Sequence, residues 1–409
     1  MTPSAPLDQA WGYPLFEALY RRRSRRFGLG FEMQEGPFRY KSAHAPVPLT
    51  QLEEALLVGA GAGFTGLAFW DLPTPAPYPR RSGRTFPTTR AGGHTALFLT
   101  NDDGFYFVED KVAAGKLREV ETREERSKLL DVYRAQRRTL KPGRLDIPRR
   151  VPPMSGHDLW DSNRPGCTLF LSASLIGQFV DPALRRYASA SGGMNIVDDR
   201  HGFRAAGTER WLKCGFLNAE QVLPLSILER QACYYVFSEP AAICQNMFLA
   251  TEALGLGGWK HCGFLSLEIL ERMGFRTVAG GGGLGFGNPI GLDGVFEASC
   301  PPYQPTMDDA VDAVFLRTAP AATAPVPHRI SDEEHRAGTV RMSAEGLACT
   351  KAVCNYIYET YGRFPGTTDA MHLMWVMQVH HVDTDYYNRF FGSRAYGVTH
   401  ATHMATWHR

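Results

Sequence analysis

The sequence has little net charge and no long apolar run. Its 44 basic and 42 acidic side chains leave a formal charge of +2, which argues against a general binder of polyanions. A membrane span needs about 18 consecutive apolar residues, and the chain has no such stretch. Its first residues also lack the basic start and apolar core of a secretion signal. We therefore expect a cytoplasmic protein with neither a membrane nor a nucleic-acid partner.

The cysteines show no regular spacing. Eight are present, and none stands in a Cys-x-x-Cys pair. We interpret them as reduced thiols, most of which pack in the interior. The chain has 409 residues, of which 44% are hydrophobic. It is therefore long enough for one large domain with additions, or for two units.

A cluster of five arginines and one serine fills residues 21–26, directly after the mostly apolar residues 15–20. Guanidinium groups are planar, permanently charged and forked, so they match the oxygens of a phosphate, and a serine hydroxyl adds a donor. On its own, the cluster favours a basic helix end or a nucleic-acid patch, and a phosphate site is the alternative.

A second informative segment covers residues 238–259. Ser238 is a suitable N-cap, Pro240 suits the first turn, and Gly255 is a typical C-terminal cap. The pattern predicts a buried helix that leads into a glycine-rich turn at residues 255–258. Its apolar stripe consists of Ile243, Met247, Ala250 and Leu254. On its own, such a segment is most often a capped core helix.

These two segments together resemble the nitroreductase-like flavoprotein family. The family has an Arg-Arg-Ser-x-Arg stretch, matched by residues 22–26, and a Gln-Asn-x-x-Leu-Ala helix followed by Gly-Leu-Gly, matched by residues 245–257. Residues 82–94, which run into an apolar strand, are similar to the Pro-Ser-x-Gly-Gly segment of its thiazoline-oxidase-like branch. The resemblance covers residues 12–300 in patches, without residues 115–225.

The resemblance implies an FMN-dependent oxidoreductase that works by a two-electron, ping-pong mechanism on a dedicated small molecule. It implies a homodimer, because the family builds its flavin sites across the subunit interface. No catalytic side chain follows from it, although His94 and His261 are polar candidates near the matched segments. Nine residues are implied to bind the cofactor: Arg22, Arg23, Ser24 and Arg26 at the phosphate, Arg90, Gly92 and Gly93 at the pyrimidine edge, and the backbone of Cys262 and Gly263 at ring atom N5.

The predicted architecture is an α+β, nitroreductase-like fold with a central, mostly antiparallel sheet flanked by helices. Thr50 and Glu53 form the capping box of a helix, and residues 95–100 and 105–108 read as a hairpin. The FMN-binding domain would cover residues 1–317 with an insertion at about 115–225. Residues 318–327 read as a linker, followed by a helical, histidine-rich extension at 328–409. Arg317 is a candidate to complete the phosphate site.

The extension is predicted to contain helices near residues 345–361 and 369–391. His381 and Asp385 would stand four apart on one helical face, a spacing that can chelate a metal ion. No second pair repeats this pattern, so we predict no metal ligands. A metal-dependent oxidase that uses the C-terminal histidines is one alternative, and a non-catalytic binder of phosphorylated ligands or nucleic acid is another.

Overall fold

The computed structural model describes residues 5–67, 82–87, 94–109, 120, 122–188, 193–279, 287–318 and 343–408. Several predicted positions lie outside the described residues. They are Arg90, Gly92, Gly93, the side chain of Arg317 and almost all of the predicted linker.

The described residues form twelve α-helices and sixteen β-strands. The helices are α1 (Ala5–Gly12), α2 (Leu15–Arg21), α3 (Gln51–Ala62), α4 (Lys128–Gln136), α5 (Gly177–Ala188), α6 (Glu209–Lys213), α7 (Leu225–Leu254), α8 (Ser266–Met273), α9 (Met307–Thr318), α10 (Ala344–Tyr361), α11 (Thr384–Phe390) and α12 (Val398–Trp407). The strands are β1 (Glu32–Met33), β2 (Tyr40–Lys41), β3 (Phe64–Leu67), β4 (Ser82–Arg84), β5 (Thr95–Thr100), β6 (Gly104–Val108), β7 (Arg137–Pro142), β8 (Thr168–Leu175), β9 (Gly193–Asp198), β10 (Arg204–Ala205), β11 (Leu217–Pro224), β12 (Leu256–His261), β13 (Arg276–Val278), β14 (Asn288–Leu292), β15 (Phe296–Glu297) and β16 (Met371–His381).

A six-stranded sheet in the order β12-β16-β8-β5-β6-β7 forms the centre of the fold. Every neighbouring pair in it is antiparallel. The predicted α+β class and antiparallel central sheet are therefore confirmed. So is the β5–β6 hairpin, in which Leu97 pairs with Val108 and Thr100 with Phe105. Its turn is organised by the side chain of Asn101, which accepts from the amides of Asp103 and Gly104.

Strand β16 corrects the prediction of a helical extension. The sequence predicted a helix near residues 369–391, but residues 371–381 form an inner strand between β12 and β8. Leu373 and Val376 face one core cluster, while Trp375 and Met377 face the other. A strand buried on both faces has no polar side, so its sequence looks like that of an all-apolar helix. The predicted insertion likewise supplies a central strand, β8.

The two faces of the sheet carry separate hydrophobic clusters. One includes residues of α5, α8, α9, α10 and the first half of α7, and the other includes residues of α3 and the second half of α7. Phe98 of β5 points to the first cluster, and its neighbour Leu99 points to the second. This alternation follows from the two-residue period of a strand. The second cluster holds α3 and α7 in place, and both helices contribute to the sites described below.

Helix α7 begins earlier than predicted. It starts at Leu225 instead of Ser238, and Pro240 lies inside it. Its end agrees with the prediction, because Gly255 adopts a left-handed conformation with φ of 82° and leads directly into β12. A side chain at Gly255 would also meet the backbone of Thr399 at 2.2 Å. None of the described helices is long and apolar enough to cross a membrane.

Candidate functional site

The arginine cluster and the glycine-rich turn, which are far apart in the sequence, pack against each other. Gly28, just after the arginines, forms an antiparallel bridge with Val382, the residue that follows β16. The backbone must approach closely here: a Cβ on Gly257 would lie 2.9 Å from the carbonyl oxygen of Arg25 and 2.9 Å from His380 Nε2. Glycine at position 257 therefore allows residues 25–28 to lie across β12 and β16.

Arg25 is buried and serves the interior. The residue is 3% exposed, and its Nη1 donates to Glu252 Oε1 on α7. Its Nε donates to the carbonyl oxygen of Ala395 at 2.9 Å, and the amide of Arg23 donates to the same Glu252 oxygen at 3.1 Å. Burial raises the pKa of the Glu252 carboxyl, against the lowering effect of Arg25. This pair holds the N-terminal segment on α7.

Arg26 is bound by two carboxylates. Its Nε and Nη2 donate to both oxygens of Asp161 at 2.7 Å each, and Nη2 also donates to Asp158 at 3.0 Å. The guanidinium carbon stands 3.8 Å from the ring centroid of Trp259 on β12. Burial raises the pKa of Asp161 to about 6, while the hydrogen bond and charge of Arg26 lower it. The resemblance assigns Arg26 to a phosphate, but the structure directs its donors to these carboxylates.

The other predicted phosphate residues are more accessible. Arg23 and Ser24 are exposed and Arg22 is half-buried, with its guanidinium 5.6 Å from the ring of Phe248. Arg23 Nη1 donates to the carbonyl oxygens of Tyr20 and Arg22 in its own segment. These three residues thus form a cationic surface at the end of α2. Their role as cofactor ligands stays a prediction.

The loop after β12 follows the strand that carries Trp259, the residue whose ring contacts Arg26. The carbonyl oxygen of Gly263 accepts from the amide of Ser155 at 2.8 Å, and Cys262 is exposed. His261 stacks on Trp259 at a centroid distance of 4.5 Å, and neither of its ring nitrogens has a hydrogen-bond partner among the described residues. Burial lowers the pKa of His261 to about 4. This imidazole is therefore neutral at physiological pH.

Two recesses among the described residues are too small for a flavin. One lies between α3 and α4, is lined by Ala55, Gly59 and Leu129 among others, and holds about 40 Å³. The other lies beside α9 and α10 and holds about 10 Å³. Ligand pockets usually measure about 300–1,000 Å³. Neither recess is lined by a residue predicted to bind the cofactor.

A second constellation joins Glu53 of α3 with three C-terminal histidines. The Nε2 atoms of His381, His403 and His408 lie 3.2, 2.7 and 3.3 Å from Glu53 Oε1. His408 Nε2 is also 3.1 Å from His381 Nε2. Glu53, His381 and His403 are at most 2% exposed, and the His408 side chain is 17% exposed. We call these four residues the Glu53 cluster.

The elements around the Glu53 cluster fix each side chain. Glu53 Oε2 accepts from Thr50 in the predicted capping box, which is confirmed, so Oε1 points away from the helix end. His381 Nδ1 lies 2.9 Å from the carbonyl oxygen of Val47, and His403 Nδ1 lies 2.7 Å from that of Leu254. Burial raises the pKa of Glu53, but the adjacent imidazoles outweigh it and lower the pKa well below its usual value. Glu53 is therefore ionised.

Sequence reasoning singled out His381 among these histidines but paired it with another partner. It placed His381 and Asp385 on one helix, whereas His381 ends β16 and Asp385 lies on α11. Asp385 instead bonds His44 at 3.0 Å on the surface. Glu53 was identified only as a capping residue. Nothing local in the sequence connects it to residues near position 400, because only the folded sheet brings α3 beside α12.

Comparisons with known proteins give little further information. No family model matches the chain, and no curated protein is significantly similar to it. Among solved structures, it is similar to a provisionally assigned nitroreductase from Ralstonia eutropha JMP134, at 14% identity with a TM-score of 0.29. The alignment covers 65% of this chain and 77% of that protein. We base no assignment on it, because the TM-score is too low.

Proposed function

We propose that this chain is an FMN-dependent oxidoreductase of the nitroreductase-like type, acting on a small molecule. The observation that supports the proposal is the direct packing of the arginine segment on β12, seen in the stacking of Arg26 on Trp259 at 3.8 Å. Two motifs that the resemblance links to one mononucleotide thus occupy neighbouring positions. The alternative of a nucleic-acid binder loses support, since Arg25 and Arg26 are neutralised by carboxylates.

The phosphate would be held by Arg22, Arg23 and Ser24. These residues fit a dianion, because they offer two guanidinium groups and a hydroxyl on an accessible surface. We assign Arg26 a positioning role, since its Asp161 pair and its contact with Trp259 fix the segment that carries the three ligands. Each well-made charge-assisted bond contributes about 1.5–3 kcal/mol.

The ring would lie beside the loop that follows β12, with the backbone of Cys262 and Gly263 at N5. Bound FMN supplies the hydride-transfer chemistry. The chain's own residues would orient the flavin ring, exclude water from it and set its reduction potential. His261 is neutral and buried behind this loop, so it adds no positive charge there. The pyrimidine edge is proposed to contact Arg90, Gly92 and Gly93, which lie outside the described residues.

A second copy of this chain would complete the site. Neither of the two recesses described above, of about 40 and 10 Å³, could hold a flavin. Next to the arginines, α2 buries only Ala18 and exposes a hydrophobic face made of Leu15, Phe16, Leu19 and Tyr20. Contiguous apolar surface of this kind marks an interaction site. We propose that this face meets a partner subunit and that the flavin lies at the interface.

The visible spectrum of the purified protein tests the proposal. The expected result is the absorption of oxidised flavin, either as purified or after incubation with FMN and removal of the excess, followed by bleaching on reduction. Protein that retains no FMN under these conditions would contradict it. Quenching of FMN fluorescence during titration gives the dissociation constant of the complex.

A double substitution tests the phosphate ligands. Replacing Arg22 and Ser24 with alanine should weaken FMN binding by at least tenfold, since two charge-assisted or polar contacts are lost. The matched control is Arg21→Ala, which removes an arginine of the same cluster whose guanidinium pairs with Glu17 on the surface. If both variants bind FMN like the parent protein, the phosphate assignment is wrong.

A further inference from the structure

We propose that the Glu53 cluster is a structural site for a divalent transition metal, best suited to zinc, with His381, His403 and His408 as nitrogen ligands. The four donor atoms all lie within 4.8 Å of one another. They come from three parts of the fold: α3, the end of β16, and α12 with the residue after it. The proposal is independent of the flavin site.

The protonation of the imidazoles provides the first argument. Carbonyl oxygens only accept hydrogen bonds, so His381 Nδ1 and His403 Nδ1 must carry protons to bond Val47 and Leu254. In the neutral imidazole, Nε2 then presents a lone pair. Both Nε2 atoms face Glu53 Oε1, which is itself an acceptor, at 3.2 and 2.7 Å.

Such converging lone pairs need a positive charge between them. Without a metal, His403 would have to be an imidazolium ion in order to donate to Glu53, and the lone pair of His381 Nε2 would need a proton carried by His408 Nε2, 3.1 Å away. The cluster would then bury a charged pair at residues that are at most 2% exposed, and taking two charges out of water is expensive. A dication bound by three neutral imidazoles and one carboxylate removes this conflict.

The distances between the donor atoms are those of a compact coordination shell. Zinc binds imidazole and carboxylate at about 2.0–2.2 Å in a tetrahedral arrangement, which places the ligand atoms about 3.3 Å apart. The measured separations from Glu53 Oε1 are 2.7, 3.2 and 3.3 Å, and His381 and His408 are 3.1 Å apart. Slight expansion around His403 would accommodate the ion.

The surroundings are also typical of a metal site. Metal-binding histidines usually donate their second ring N–H to a carbonyl or carboxylate, which fixes the ring and its tautomer. His381 and His403 do this through Val47 and Leu254, and Glu53 is oriented by its second oxygen, which accepts from Thr50. The other group of possible ligands, His44 with Asp383 and Asp385, has two exposed members and no such support.

The donor set indicates a structural role. Four protein ligands fill a tetrahedral shell, whereas catalytic zinc keeps a position for water or substrate. The site therefore differs from the oxidase centre that the sequence left as an alternative. Since its ligands lie on α3, β16 and α12, the ion would fasten the last helix to the sheet.

Metal analysis of the untagged full-length protein tests the proposal. We expect zinc in a one-to-one ratio with the chain, removal by a strong chelator, and a lower thermal midpoint of unfolding in the metal-free protein. Replacing zinc with Co²⁺ should give the intense visible bands of a tetrahedral site, a signal that does not depend on any activity. Both metal content and flavin content are measured on the same preparation, so either proposal can fail alone.

His408→Gln is the most informative variant, because this ligand is the most exposed of the four and its loss is least disruptive to folding. It should lower Co²⁺ affinity at least tenfold and abolish the tetrahedral spectrum. His403→Gln should do the same. The matched control is His372→Gln, which removes a half-exposed histidine of β16 outside the cluster, and it should bind Co²⁺ like the parent protein.

Circular dichroism confirms that each variant is folded before the comparison. The proposal is overturned if the folded parent protein contains no transition metal and develops no visible bands on Co²⁺ titration. It is equally overturned if His408→Gln and His403→Gln both retain the parent affinity and spectrum.

Discussion

The guanidinium carbon of Arg26 lies 3.8 Å from the ring centroid of Trp259, while its nitrogens donate to both oxygens of Asp161. One side chain thus connects the N-terminal segment, the loop before β8 and β12. Because Asp161 is fully buried, this contact is part of the scaffold that presents Arg22, Arg23 and Ser24.

Removal of Arg26 should strongly destabilise the fold. Arg26→Met leaves the Asp161 carboxyl buried without its partner, and breaking a buried pair in this way costs about 3–5 kcal/mol. The free energy of unfolding from urea titration measures the effect. Arg21→Met serves as the control and should change little, because its pair with Glu17 is exposed. The double variant Arg26→Met with Asp161→Asn should recover part of the lost free energy of unfolding. If the single variant Arg26→Met and this double variant have the same free energy of unfolding, the two residues are not a coupled pair.

Replacement of Gly257 should separate the arginine segment from β12. In Gly257→Ala the new methyl group would lie 2.9 Å from both the Arg25 carbonyl oxygen and His380 Nε2. Overpacking of this kind costs about 1–3 kcal/mol, so the thermal midpoint of unfolding should fall. Gly12→Ala, at the end of α1, has no atom within 4 Å of the added Cβ. It should therefore unfold at nearly the parent temperature, and an equal drop in both variants would contradict the packing argument.

The buried imidazole of His261 should make stability depend on pH. Its pKa is lowered from 6.5 to about 4, chiefly by burial, with Arg26 and His157 also lowering it and Asp158 raising it. The unfolded chain therefore binds a proton before the folded chain does, and stability falls as pH drops from about 6.5 towards 4. The full loss corresponds to about 3 kcal/mol.

His261→Phe is the variant that isolates this effect. Phenylalanine keeps a ring against Trp259 but cannot be protonated. Other buried groups titrate in both proteins, so the difference between their unfolding free energies, measured from pH 7 to pH 4.5, reports His261. The parent should lose stability relative to the variant as pH falls. Parallel curves would show that His261 is protonated equally in the folded and unfolded chains.

Charge on the exposed face of α2 should break the proposed dimer. Phe16 is 72% exposed and lies one helix turn from Tyr20, which is 80% exposed. Phe16→Asp should lower the sedimentation coefficient from that of a dimer to that of a monomer. FMN binding should weaken in the same variant. Phe203→Asp, which alters another exposed phenylalanine away from this face, is the control. A parent protein that sediments as a monomer would remove the basis for the interface.

Local features of the fold were predictable from the sequence. The capping box at Thr50 and Glu53, the β5–β6 hairpin and the cap at Gly255 each depend on residues within a few positions of one another. Short-range hydrogen bonds and backbone sterics determine such features. The start of α7 was missed because Pro240 looks like a first-turn residue, while tertiary packing keeps the helix intact on both sides of it.

Features that depend on distant partners were not predictable. Strand β16 was predicted as a helix because its residues are apolar on all sides, and only pairing with β8 and β12 distinguishes the two states. The partners of Arg25 and Arg26, Glu252 and Asp161, are specified by tertiary packing rather than by spacing. The convergence of His381 and His403 on Glu53 has the same origin.

The inner position of β16 has a consequence for how the chain is made. Strands β5, β6, β7 and β8 are consecutive in sequence and can pair as soon as they leave the ribosome, but the strand that lies between β8 and β12 is translated much later. Until then, the open edge of β8 is a template for any other chain. We expect the nascent protein to depend on chaperones during this interval more than the finished protein does.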